Sequence, residues 1–268
     1  MKSFSAHQKR IITALILIPV LGLIIFTGGQ AINLALVVVS ALGLWEFYSF
    51  FWPGKEKFFF KFFGITLGTV FILLPWTWLV NHALLIVIIS FWLLCLCFLV
   101  QFSLIQDKAS FFDSLIIFAG LFYLPFALKL FIRLSPQEIV LVLLATFASD
   151  TGAYYVGSWK GKRKIWPQIS PKKTWLGSIG GLILCTLITL GLGLTWGKDI
   201  WWAYLILGFI LSLAAQLGDF FESALKRWAR VKDSGRLLPG HGGILDRIDS
   251  LLLLLPVYII SQEIYPMF

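Results

Sequence analysis

Charge is scarce in this sequence. Only 13% of its 268 residues are Asp, Glu, Lys or Arg, against 59% hydrophobic residues and a mean hydropathy of +0.90. Such values lie outside the soluble range and mark an integral membrane protein. Cysteine is scarce too. Cys95, Cys97 and Cys185 sit inside apolar runs with no paired spacing and no nearby His, so they read as buried thiols that say nothing about redox compartment. The lack of a Cys/His ligand set argues against zinc. No A-x-A-like cleavage site follows the apolar stretch 11–27, which therefore reads as a retained first span and not as a signal peptide. Internal repeats, low-complexity tracts and Ser- or Gly-rich linkers are missing as well, and the gaps between apolar runs are too short for a soluble domain.

What the chain does have is a succession of apolar runs near 20 residues, the length that crosses about 30 Å of hydrocarbon. They fall at roughly 11–28, 31–51, 62–80, 83–103, 111–131, 138–158, 176–196, 200–221 and 245–262. The expectation is an all-α polytopic membrane protein with about nine transmembrane helices. Within one continuous membrane domain, residues 1–135 carry isolated charges and read as scaffold helices. Residues 136–268 hold nearly every polar cluster and read as the catalytic region.

The net charge is +9, which in a soluble protein would suggest nucleic acid as a partner. In a membrane protein the positive-inside rule explains it better. Alternation from a cytoplasmic N-terminus places every Lys and Arg except Lys129, Arg133 and Lys198 on the cytoplasmic side. The reading is a cell-membrane protein with its N-terminus inside, its C-terminus outside and no nucleic-acid partner.

The densest polar cluster runs from Gly218 to Asp249, where five carboxylates, six Lys or Arg residues, His241 and five glycines lie between two apolar runs. Charge inside a bilayer is costly, about 2.5–3.5 kcal/mol per residue at a helix centre on insertion scales, so such a cluster between two apolar runs marks a site. From Ile200 to Lys232 the chain is helix-compatible, and a helix of that length outreaches the bilayer core by roughly 20 Å. On that helix Asp219, Ser223, Lys226 and Arg230 share one stripe, with Glu222 beside Asp219 and spaced to form a surface pair with Lys226.

Beyond it, Gly235, Gly240, Gly242 and Gly243 surround His241. Glycines let a backbone turn tightly and bring its N–H groups to an anion, and His241 reads either as part of that grip or as a loop residue held by backbone hydrogen bonds. Asp246 then falls in the first turn of the last span, where free N–H groups and the helix dipole also favour phosphate, and Asp249 shares its face. Asp219 and Asp246 together supply the oxygen ligands that a hard divalent ion needs. Asp249 is either a partner in that chemistry or a helix-end cap.

A second constellation lies between spans six and seven. Asp150, within the apolar run Ser149–Tyr154, is an intramembrane acid and a functional candidate. Lys172, Lys173 and Thr174 precede an apolar helix, and the two lysines read as phosphate ligands or as topology signals. Gly177 and Gly181 have the spacing of close helix packing. Glu46, near the end of span two, either pairs with a base of the site or snorkels to the interface.

The run Ser223-Ala-Leu-Lys226-Arg227, then Lys232-Asp233-x-Gly235, then Leu238-Pro239-Gly240-His241-Gly242-Gly243-Ile244-Leu245-Asp246-Arg247-Ile248-Asp249, resembles the hallmark of the phosphatidate cytidylyltransferase (CDP-diglyceride synthase) family. The stretches Asp150–Tyr154 and Ser170–Thr174 are similar to that family's upstream motifs. The resemblance implies a helical membrane enzyme, often a homodimer, that converts CTP and phosphatidic acid into CDP-diacylglycerol and pyrophosphate with Mg²⁺, alone or with a second cation. It implies metal-linked carboxylates at Asp219 and Asp246 and a catalytic set completed by Lys226 and Asp249. Phosphate contacts would come from Lys172, Lys173, Ser223, Arg227, Lys232, Gly240, His241, Gly242, Gly243 and Arg247, with Asp150 and Glu46 in support. The alternatives are a CTP-dependent lipid kinase and an ion or lipid transporter. A transporter favours inverted repeats and polar residues spread through both halves, and this chain has neither.

Overall fold

The computed structural model describes residues 6–54, 57–106, 109–235, 237 and 242–268. Among them the chain is helical without a strand, in the order α1 (Ala6–Thr27), α2 (Gly29–Phe51), α3 (Phe58–Leu73), α4 (Trp76–Asn81), α5 (Ala83–Ile105), α6 (Phe111–Leu121), α7 (Ala127–Lys129), α8 (Pro136–Lys160), α9 (Trp175–Trp196), α10 (Trp201–Trp228) and α11 (Leu245–Ile264). Six helical stretches among the described residues are long and apolar enough to cross a membrane: Gly29–Phe51, Ala83–Leu104, Phe111–Arg133, Pro136–Lys160, Trp175–Trp196 and Trp201–Trp228. Helices also occupy the other three expected spans, but α3 has 16 residues and α11 carries Asp246, Arg247 and Asp249 near its start.

Two prolines account for the departures from simple spans. The expected run 62–80 divides into α3 and α4 because Pro75 pushes the residue before it out of the helical region, and Leu74 has ψ 138°. The orphan carbonyls at the end of α3 are taken up by the buried Lys129, whose Nζ donates to Ile72 O and, at 2.6 Å, to Leu74 O. Between α6 and α7 the backbone widens into a π turn, Phe122–Phe126, around Pro125, which has no N–H to donate.

α2 to α7 form one compact unit, and α1 with α8 to α11 form another. In the first, Asp113 is buried and accepts from Trp52 Nε1 at 2.9 Å, Gln101 Nε2 at 3.0 Å and Lys57 Nζ, while Tyr48 Oη donates to Ile117 O at 2.9 Å. Of the cysteines, Cys185 is buried as expected, but Cys95 and Cys97 are only half-buried, because little of α5 is covered by the described residues.

In the second unit α8 packs on α9, α9 on α10 and α10 on α11, and both α10 and α11 return to α8. Small residues set the α8–α9 distance. A Cβ on Gly152 would lie 2.5 Å from Gly180 O, and one on Gly181 would lie 2.5 Å from Ser149 O, which bears out the packing role read for Gly181. The same device joins α10 to α11, where a Cβ on Gly218 would stand 2.5 Å from Asp249 O. α8 begins with a capping box of Ser135 and Glu138 behind Pro136. Glu138 also accepts from Tyr258 Oη of α11 at 2.9 Å. α10 ends at Trp228 and not near Lys232, because Arg230 takes a left-handed φ of 57° and the chain turns there. Arg230 therefore leaves the stripe that Asp219, Ser223 and Lys226 keep.

Candidate functional site

The segment 161–174, between α8 and α9, is pinned at both ends. An isolated antiparallel bridge joins Lys164 to Thr174, with Trp175 N donating to Arg163 O at 3.0 Å and Ile165 N to Lys173 O at 3.3 Å. Thr174 is buried at the N-cap of α9, where its Oγ1 accepts from Gly177 N at 3.1 Å. Any Cβ on Gly161 would stand 2.2 Å from that oxygen, so glycine is required there by close approach. Lys172 and Lys173 thus project from a backbone with little freedom. With Lys164 they line a cavity of about 520 Å³ whose wall also holds Asp150, Gln216 and Asp219. Bases and acids share one ligand-sized space.

Asp219, one turn beyond Gln216 on α10, meets Lys173 Nζ through Oδ2 and accepts from Ser223 Oγ at 3.2 Å through Oδ1. The same ammonium stands 4.2 Å from the centroid of the Phe220 ring, against which Trp166 packs edge-on at 4.9 Å. Asp150, on α8, opens on the cavity and accepts from Ser250 Oγ of α11 at 3.3 Å. Asp150, Asp219 and Asp249 lie within electrostatic range of one another.

The second cluster lies where α10 meets α11. Lys226 Nζ bridges Glu222 Oε2 at 2.5 Å and Asp246 Oδ1 at 2.6 Å. The spacing predicted the Glu222–Lys226 pair correctly but placed it at the surface. Glu222 is instead fully buried, because the glycine contact at Gly218 brings α11 across that face. Its Oε1 has no hydrogen-bond partner among the described residues. The other oxygen of Asp246 accepts from Ser234 N at 2.9 Å, Ser234 Oγ at 3.0 Å and Gly243 N at 2.9 Å. Gly242 makes this possible with a φ of +83°, and a Cβ there would lie 2.6 Å from Asp246 Oδ2. The Gly243 N–H, expected to face an anion, is therefore spent on Asp246. Asp249 is buried on the α10 side and accepts from Ser250 N at 2.7 Å.

Of the remaining sequence candidates, Lys172, Arg227, Lys232 and Arg247 are exposed. Arg227 donates to Ile169 O at 3.2 Å and Val231 O at 3.1 Å, and so braces the pinned segment against the end of α10. Glu46 is buried on α2, in the other compact unit, and so does not snorkel. Gly240 and His241 lie outside the described residues, as do the topology-signalling Lys2, Lys55, Lys108 and Arg236.

Sequence reasoning passed over Gln216, Ser178, Lys164 and Ser234. Ser178 Oγ donates to Gln216 Oε1, and Gln216 Nε2 donates to Ser178 O and Ser212 Oγ, both at 3.1 Å. An available signal was the spacing of Gln216, a polar residue in an apolar run three positions before Asp219. Ser234 offered none, since its role depends on a fold-back of 12 residues to Asp246.

A hard cation takes oxygen ligands. No group of three or more His, Cys, Asp and Glu placed for metal binding occurs among the described residues. Mg²⁺ needs only one or two carboxylates, the rest of its shell being water and phosphate. Asp219 and Asp150 present such oxygens to the cavity, whereas both Asp246 oxygens already accept from Lys226, Ser234 and Gly243.

The cytidylyltransferase family matches residues 8–265. A phosphatidate cytidylyltransferase of Staphylococcus saprophyticus is 49% identical over 120 residues, covering 44% of this chain and 46% of the relative. One of Staphylococcus aureus is 40% identical over 159 residues, covering 57% and 60%. One of Bacillus subtilis is 50% identical over 111 residues, covering 41% of each. The chain spans about half the length of the curated relatives it matches.

Proposed function

We propose that this chain, which belongs to the cytidylyltransferase family, transfers the cytidylyl group of CTP to phosphatidic acid, forming CDP-diacylglycerol and pyrophosphate. The observation that carries the reading is the single cavity in which Lys164, Lys172 and Lys173 face Asp150 and Asp219, at the end of helices apolar enough to stand in lipid. A triphosphate needs bases and a cation-holding acid together. A lipid phosphate needs that same place to open beside the hydrocarbon.

In the proposed step an oxygen of the lipid phosphate attacks the α-phosphorus of CTP in line. One P–O bond forms as the bond to the bridging α–β oxygen breaks, and the electron pair leaves with pyrophosphate. A phosphate monoester is largely ionised near neutral pH, so no strong general base is required and none is assigned. Lys164, Lys172 and Lys173 orient the phosphates and stabilise the charge that develops on the leaving group. Asp219 is the carboxylate best placed to hold Mg²⁺, with Asp150 on the same wall; Asp246 joins it only if Lys226 releases that carboxylate. The ion, when bound, neutralises triphosphate charge. Thr174, Gln216 and Ser178 keep the acid and basic walls in register. The same proposal includes a homodimer, a cytoplasm-facing site, an inside N-terminus and an outside C-terminus.

Label from α-³²P CTP should enter the lipid, and label from γ-³²P CTP should leave as pyrophosphate. A γ label in the lipid with release of CDP would establish a lipid kinase, and no CTP consumption would favour a transporter.

A further inference from the structure

We propose that Lys173 is an exchangeable counterion of Asp219: it occupies the carboxylate until a divalent ion enters the cavity, then leaves it and turns to the phosphate that arrives with the ion. This rests on the reading of the cavity as a metal–nucleotide site. Two ammonium groups, Lys226 and Lys173, sit on three of the site's acids, and they are held in different ways. Lys226 is gripped by two carboxylates, with side-chain exposures of 11% for the lysine, 0% for Glu222 and 10% for Asp246. Nothing in that arrangement lets the lysine go cheaply, since its departure would leave buried charge unpaired.

Lys173 has one carboxylate and one aromatic face, and its side chain is 26% exposed against 27% for Asp219. An ion pair that open to solvent is weakly held. A doubly charged cation attracts the same carboxylate more strongly than an ammonium does and repels the ammonium beside it. The exchange needs no backbone movement. Lys173 O is bonded to Ile165 N, and the next residue caps α9. Only the flexible four-carbon stem has to rotate. Lys164 and Lys172 line the same cavity, so the released ammonium joins an existing basic wall on which phosphate oxygens would rest. Phe220 sets how tightly the lysine is docked, and Trp166 holds that ring in place.

The test uses the full-length protein in detergent micelles with Mn²⁺ alone as the probe, the free ion being counted by electron paramagnetic resonance. Lys173→Met should tighten Mn²⁺ binding about two- to fivefold, the scale of one partly exposed ion pair, while weakening the binding of CTP measured with the ion present. Phe220→Leu keeps the lysine but loosens its seat, and should move Mn²⁺ affinity in the same direction by a smaller factor. Asp219→Asn should remove this Mn²⁺ site. Equal Mn²⁺ affinity in Lys173→Met and the parent, with loss in Asp219→Asn, overturns the exchange and leaves the cavity reading standing. Mn²⁺ binding untouched by Asp219→Asn overturns the metal reading and the exchange together. Weakened binding of both Mn²⁺ and CTP in Lys173→Met would make the lysine a structural brace, and the proposal fails.

Discussion

Lys226→Met removes the one positive charge between Glu222 and Asp246, and its cost can be worked from their burial. The ammonium lies 2.5 Å from one carboxylate and 2.6 Å from the other, and Glu222 is wholly inside the protein. Methionine keeps the stem's bulk, so packing changes little and the effect is electrostatic. Asp246 retains the donors from Ser234 and Gly243, but Glu222 is left with no cation among the described residues. Removing one partner of a buried pair costs about 3–5 kcal/mol. Glu222→Gln leaves Lys226 on Asp246 and should cost less, about 1.5–3 kcal/mol for the charged hydrogen bond lost. The decisive comparison is the double variant Lys226→Met/Glu222→Gln. It should be more stable than the sum of the single losses predicts, by about 0.5–3 kcal/mol, because the second change removes the charge that the first stranded. Reversible unfolding in mixed micelles of SDS and a mild detergent, followed by far-ultraviolet circular dichroism, measures all three. A loss below about 1 kcal/mol in Lys226→Met, or strict additivity in the double variant, would mean that the cluster is solvated and would refute the burial argument.

Gly242→Ala should damage the site without touching a charged group, because its φ of +83° is strained for alanine and the new methyl would meet Asp246 Oδ2 at 2.6 Å. The expected loss is about 1–3 kcal/mol of stability, with most of the CTP-dependent lipid labelling. Unchanged labelling would show that the Asp246 cradle is not needed for turnover. For topology, single cysteines in a background lacking Cys95, Cys97 and Cys185 should react with an impermeant reagent from the cytoplasm at the exposed Lys232 and from outside at Asp199. Labelling of both from one side of the membrane would overturn the proposed orientation.

Composition alone was enough to make this an all-α membrane chain, since backbone polar groups in hydrocarbon are satisfied within a helix and an apolar run of given length can do little else. Spacing was enough to put Glu222 one turn before Lys226, and Asp246 and Asp249 on one face, because helical periodicity is a local property. The break at Pro75 was equally local, and a stricter use of the proline rule would have divided the run 62–80. What a face meets is another matter. The pairing of Glu222 with Lys226 reads the same on a solvated helix as on a buried one, and only the approach of α11 at Gly218 decided which it was. Lys173 found Asp219, Ser250 found Asp150 across 100 residues and Ser234 found Asp246 for the same reason. Periodicity names the direction in which a side chain points, but the partner waiting there comes from a distant part of the chain. It arrives only when glycine-lined helices pack closely enough to bring those carboxylates and ammonium groups within hydrogen-bond reach.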